Sequence, residues 1–140
     1  MTINETQDQI IDEFGLFDDW ADKYEYIIDL GKKLPPLDTQ YKTEENKIKG
    51  CQSAVWLHAG TQGEQVIFEA DSEAVIVKGL ASLLIRVLSG HTPEEIVQTQ
   101  LYFLDRIGMN QHLAQTRSNG LASMLKQMKL YALAYQAKMN

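Results

Sequence analysis

Ser53-Ala-Val-Trp-Leu-His-Ala59, then Gly60-Thr-Gln-Gly63, then Val66, Phe68 and Ala70 form the stretch on which the reading of the fold turns. Val55, Leu57 and Ala59 fall on one side of the first segment, and Ala54, Trp56 and His58 on the other. The second segment alternates in the same way. Two period-2 segments around a Gly-containing turn predict an antiparallel hairpin, with the turn at residues 60–63. Lys47 to Gly50 is a candidate third strand.

Outside this stretch the period becomes helical. Thr2 and Glu5 have capping-box spacing, and Ile10, Ile11, Phe14 and Phe17 form one apolar stripe. After Gly15, Asp18 or Asp19 can cap a second helix carrying Trp20, Tyr24, Ile27, Ile28 and Leu30. That helix is expected to stop near Gly31, ahead of Leu34-Pro35-Pro36. The polar run from Asp38 to Lys49 reads as a surface loop. Beyond the hairpin, Asp71 or Ser72 is the expected cap of a helix reaching to about Ser89. It is apolar nearly all round, as a central buried helix would be. Thr92-Pro93-Glu94-Glu95 is a helix start with a cap, a proline and a capping glutamate. A last helix is expected from Thr116 or Ser118, with Leu121, Met124, Leu125, Met128, Tyr131, Ala132 and Tyr135 on one face. Helices on a small antiparallel sheet make an α+β fold.

The chain has 140 residues, which suits one domain over 1–140 with a core of its own. Apolar residues make up 44% and charged residues 23%, the composition of a folded globular chain. The net charge is −6, and the densest lysines, Lys42, Lys47 and Lys49, are interrupted by Glu44 and Glu45. Neither a nucleic acid nor an anionic membrane surface is an expected partner. The N-terminal segment is polar and acidic, unlike a secretory signal. Ala74 to Leu88 is too short to span a bilayer and contains Lys78 and Arg86. A single cysteine cannot form an internal disulfide. A cytoplasmic, reducing compartment is therefore expected.

That cysteine, Cys51, stands where the polar loop meets the first strand, directly after Gly50. Glycine permits a sharp turn there, which would let a thiol reach outward. A small buried core residue is the other reading. A nucleophilic thiol must ionise, and at an ordinary pKa only about 3% is thiolate at neutral pH. Lys47, Lys49 or Arg117 are candidates to lower that pKa. Arg117 stands near the start of the last helix, where the macrodipole disfavours a cation. It therefore suits an anion, a partner carboxylate or a simple ion pair. Cysteine-based hydrolysis would need a base, and the spacing of His58, His91 and His112 supports no dyad. One cysteine and three scattered histidines lack metal-ligand spacing. Asp71 and Asp105 do not form a carboxylate pair. Residues 60–63 are too short for a phosphate loop.

Gly50-Cys-Gln-Ser-Ala-Val-Trp56 resembles the active-cysteine segment of the SufE sulfur-acceptor family. Asp71-Ser-Glu-Ala-Val-Ile-Val-Lys-Gly79, Arg117-Ser-Asn-Gly120, Leu34-Pro35, Gly108 and His112-Leu113 fit the same pattern. The resemblance runs from about Phe14 to Lys138. It implies the fold of SufE and of the IscU-type scaffold proteins, without the three ligand cysteines of the latter. It also implies a carrier that accepts persulfide sulfur on Cys51 from a PLP-dependent cysteine desulfurase of the SufS or CsdA kind. Such a carrier stimulates the desulfurase and relays sulfur to an iron–sulfur scaffold complex of the SufBCD kind. It binds no cofactor itself. Gly50, Gln52, Ser53, Asp71 and Arg117 are implied to support the cysteine loop or to meet the desulfurase. The family's Ser-Pro pair before the arginine segment is replaced by Ala114 and Gln115. The rival expectation is an adaptor that binds a desulfurase or scaffold without carrying sulfur.

Overall fold

A computed structural model describes residues 1–51, 53–109 and 115–139, the side chains of 115–119 excepted. In chain order it has helices α1 (Ile3–Phe14) and α2 (Trp20–Lys33), a 3-10 turn (Thr39–Tyr41) and strands β1 (Val55–Gln62) and β2 (Gln65–Ser72). Helices α3 (Val75–Leu88), α4 (Pro93–Gln98), α5 (Phe103–Arg106) and α6 (Gln115–Met139) complete it. The fold class is α+β, as the hairpin and the helical periods require.

The helix starts follow their capping chemistry. Thr2 and Glu5 close a reciprocal capping box on α1, and Thr92 and Glu95 close another on α4. Asp19 accepts the Asp22 N–H at 2.9 Å and so starts α2. The apolar stripe of α1 buries Ile3, Ile10 and Phe14. Gln7 is also fully buried on this helix. Its amide oxygen accepts the N–H groups of Tyr102 at 2.9 Å and Phe103 at 3.2 Å, and its nitrogen donates to the Gln100 carbonyl. These bonds satisfy the main chain that enters α5, so a polar side chain earns its place in the core.

Strands β1 and β2 pair antiparallel, from Val55 opposite Ser72 to Gln62 opposite Gln65. The turn is Gly63-Glu64, later than the sequence suggests. Gly63 has φ +62 and Glu64 is not in the left-handed region, the pattern of a type II′ turn. Val55, Leu57, Val66, Phe68 and Ala70 face the helices and are buried. The central helix α3 lies against that face, with Leu80, Leu83, Leu84, Val87 and Leu88 buried. Helix α6 adds Leu121, Met124, Met128 and Ala132 to the same core. The Tyr135 hydroxyl donates to the Ala59 carbonyl at 3.1 Å and ties α6 to β1.

Helix α2 stops at Lys33, near Gly31 and ahead of Pro35 as expected; Gly31 lies in its last turn, where a Cβ would come within 2.7 Å of the Gly79 nitrogen on α3. A Cβ on Gly79 would come within 2.1 Å of the Ile27 carbonyl oxygen. The two glycines let helix backbones touch. Two expectations change. Lys47 to Gly50 does not make a third strand, because pairing stops after a single bridge between Lys47 and Trp56. Asp71 and Ser72 do not cap α3 at its first turn. They belong to β2, and α3 begins after Ala74, whose N–H is accepted by the Ser72 hydroxyl at 3.1 Å.

Candidate functional site

The site is a loop with firm ends. Before it, the Ile48 N–H donates to the Val55 carbonyl at 2.8 Å, and Ile48 is buried. After it, the Ala54 carbonyl accepts the Ser72 hydroxyl at 2.9 Å and the Glu73 N–H at 3.1 Å. The chain therefore leaves the fold after Ile48 and re-enters it at Ala54, at nearly one point. Gly50 has φ +88, a conformation that suits glycine, and it turns the chain just before Cys51.

The loop lies on α6. A Cβ on Gly50 would stand 3.5 Å from Ser123 Oγ, and a Cβ on Gly120 would stand 3.1 Å from Cys51 Sγ. Cys51 is half-buried and packs on the edge of the core. Burial pushes its thiol above the ordinary pKa. Beside the loop a groove of about 370 Å³ runs between the preceding segment and α6, with Lys47, Lys49, Ser123 and Lys126 among its lining residues.

Asp71 shapes the base of this loop from β2. It is 6% exposed and stands opposite Trp56 in the register. Its carboxylate accepts the Ser72 N–H at 2.8 Å, and it lies 3.2 Å from Lys42 Nζ and 3.5 Å from Lys78 Nζ. Burial pushes this carboxyl upward. The Ser72 N–H, the Lys42 hydrogen bond and the two lysine charges outweigh burial and hold it below the usual range. Lys42 also sits over the Trp56 ring at 5.5 Å. Asp71 thus joins the chain before the loop to the strand after it and to α3.

The remaining candidates are spread out. Lys47 pairs with Glu44 at 3.7 Å, and Lys49 is exposed. His58 stacks on Tyr41 and lies 3.4 Å from Glu69, and His91 lies 3.7 Å from Glu95. Both rings are engaged away from Cys51. Ser53 is half-buried in the loop. Gln52, Ala114, His112 and Leu113 lie outside the described residues, as do the side chains of Gln115 and Arg117. Among the described residues no group of His, Cys, Asp and Glu could hold a metal ion, and no helix is long and apolar enough to cross a membrane. Reasoning from the sequence missed Gly120, Lys42 and Lys78 as neighbours of the site. Gly120 and Lys78 lay inside recognised motifs, but only the fold brings them to the loop.

Comparison with known proteins bears on the family and the fold. A family model described as "SufE: Fe-S metabolism associated domain" matches residues 8–132. An uncharacterized SufE-like protein of Rhizobium etli is 43% identical over 127 residues, which is 87% of this chain and 86% of its relative. SufE-like protein 1, chloroplastic/mitochondrial, of Arabidopsis thaliana is 46% identical over 117 residues, 83% of this chain but 32% of that longer protein. The solution structure of a hypothetical protein from Thermus thermophilus matches with a TM-score of 0.78 at 21% identity, covering 94% of this chain and 96% of the other. That likeness is one of fold.

Proposed function

We propose, from the premise that the chain belongs to the SufE family and so to iron–sulfur metabolism, that Cys51 takes up sulfur as a persulfide and passes it on. The donor is the persulfide of a PLP-dependent cysteine desulfurase, and the receiver is an iron–sulfur assembly scaffold. The observation that carries this reading is the placement of Cys51. It is the chain's one thiol, on a glycine turn, in a loop fixed at both ends and resting against a helix.

The chemistry is an exchange between sulfurs. Cys51 loses its proton, and the thiolate attacks the outer sulfur of the donor persulfide. A new S–S bond forms on Cys51, and the donor cysteine leaves as a thiolate. Rate depends on ionisation and access of the attacking sulfur. The exchange needs no histidine base of the kind that ester or amide hydrolysis requires, and His58 and His91 are engaged elsewhere.

Burial of Cys51 opposes this step, because it disfavours the thiolate. A carrier nevertheless gains from it, since a persulfide open to solvent is easily reduced or oxidised. Movement of the loop reconciles the two needs. With the Ile48–Val55 bond intact, residues 49–54 allow the tip to swing out by roughly 10 Å. Docking on the desulfurase draws the loop off α6, exposes the sulfur and restores its acidity. The chain acts as carrier and activator, the desulfurase as enzyme. A lone cysteine with such cargo suits a cytoplasmic setting.

The test is desulfurase turnover, followed as alanine released from cysteine, with the wild-type chain and with Cys51→Ser. A carrier relieves the donor of its sulfur, so the serine variant should lose the stimulation. Full stimulation by Cys51→Ser would favour an adaptor that binds without carrying.

A further inference from the structure

We propose that Gly120 on α6 is the seat of the Cys51 sulfur, a positioning residue that holds the resting thiol against the helix and sets its release. This inference rests on Cys51 being the carrier and adds the residue that controls its resting state.

The geometry is specific. A Cβ on Gly120 would come within 3.1 Å of Cys51 Sγ and 3.9 Å of Cys51 Cβ. The optimal separation of such non-bonded atoms is about 3.5–4.0 Å, so the sulfur would have to give way by a few tenths of an ångström. The sulfur therefore occupies ground that any side chain at position 120 would claim. Ser123, three residues on and so on the same helix face, stands against Gly50. The loop tip thus rests on one stripe of α6 through two successive residues.

Nothing in the backbone asks for glycine at this point. Gly120 lies within α6, and it is absent from the glycines with positive φ, which are Gly50, Gly63, Gly90 and Gly108. A glycine inside a helix is less favourable than an alanine. Room for the thiol is the physical reason to keep it. The half-buried state of Cys51, with its thiol pushed up by burial, is what such a seat produces.

The test is Gly120→Ala in two backgrounds, the wild-type chain and Cys51→Ala. Thermal denaturation is measured in both, and iodoacetamide alkylation of Cys51 is followed against pH where the thiol is present. Unseating the sulfur should make alkylation several-fold faster near neutral pH and move its pH profile downward. The added methyl should raise Tm by a few degrees in Cys51→Ala, where Sγ is gone, and by clearly less in the wild-type chain. A purely structural glycine would not move the pH profile. Either an unchanged profile or equal Tm changes in the two backgrounds overturns the proposal, as does failure to fold in both. None of these readouts needs a desulfurase. Their failure would leave sulfur loading of Cys51 standing, and failure of loading with these results intact would strike the carrier reading instead.

Discussion

Gly79 and Gly120 both admit a neighbour where a side chain would stand, yet the neighbours differ in what they can do. At Gly79 the neighbour is the Ile27 carbonyl oxygen, 2.1 Å from the would-be Cβ, inside a helix. At Gly120 it is the Sγ of a loop cysteine, 3.1 Å away. A carbonyl in α2 can retreat only if two helices part. A thiol at a loop tip can retreat by swinging outward. The first contact holds the fold together, and the second holds a movable part in place. The boundary between them runs through Ile48, Val55, Ala54 and Asp71, which fix the base of the loop while leaving its tip on α6.

Gly79→Ala should have the largest effect on stability. The overpacked α2–α3 contact should cost about 3 kcal/mol, read as a Tm lowered by roughly 10 °C. Wild-type stability of this variant would mean that α2 and α3 slide freely, and the contrast with Gly120 would collapse.

Asp71→Asn should come next, at about 2 kcal/mol, because hydrogen bonds to a charged group are lost at a nearly buried site. The sign with pH follows from the carboxyl's lowered pKa. Its stabilisation is fully present above the unfolded value of about 3.9 and is lost as pH falls through the lower folded value. Urea titrations between pH 3 and 7, roughly, should show the wild type losing its advantage over Asp71→Asn at the acid end. An advantage independent of pH would mean that the carboxylate charge does not brace the loop base.

The smallest effect is expected at the tip. The Cys51 thiol is raised in the fold, so the neutral form is favoured there. This contribution is present below the unfolded thiol pKa of about 8.5 and is lost as pH rises through the folded value. Alkylation of the native chain should accordingly lag that of the urea-unfolded chain near pH ~8. Equal profiles would mean an already extended loop.

How far the sequence discloses these regions depends on the range of the interactions. The hairpin is legible because alternation at Val55, Leu57, Val66 and Phe68 is local, and the caps at Thr2, Asp19 and Thr92 are local too. Gly31 marks the end of α2 to within two residues, but its contact with Gly79 is not legible because Gly79 is distant in the chain. Asp71 reads as a helix cap because an acidic residue precedes an apolar run; pairing with Trp56 and the charges of Lys42 and Lys78 put it in a strand instead. Gln7 gives no sign of burial, since the main chain it satisfies lies at Tyr102 and Phe103. Cys51 reads either as a core residue or as an outward thiol, and the fold gives it something of both. The resemblance to a family picks it out; its seat at Gly120 emerges only when the chain is folded.

Intact-mass measurement after incubation with a cysteine desulfurase, PLP and L-cysteine reads sulfur loading of Cys51 itself. A gain of about 32 Da, one sulfur atom, should appear on the wild-type chain, vanish on reduction and be absent from Cys51→Ser. A wild-type chain that never gains this mass while still binding the desulfurase would mean that Cys51 carries no sulfur.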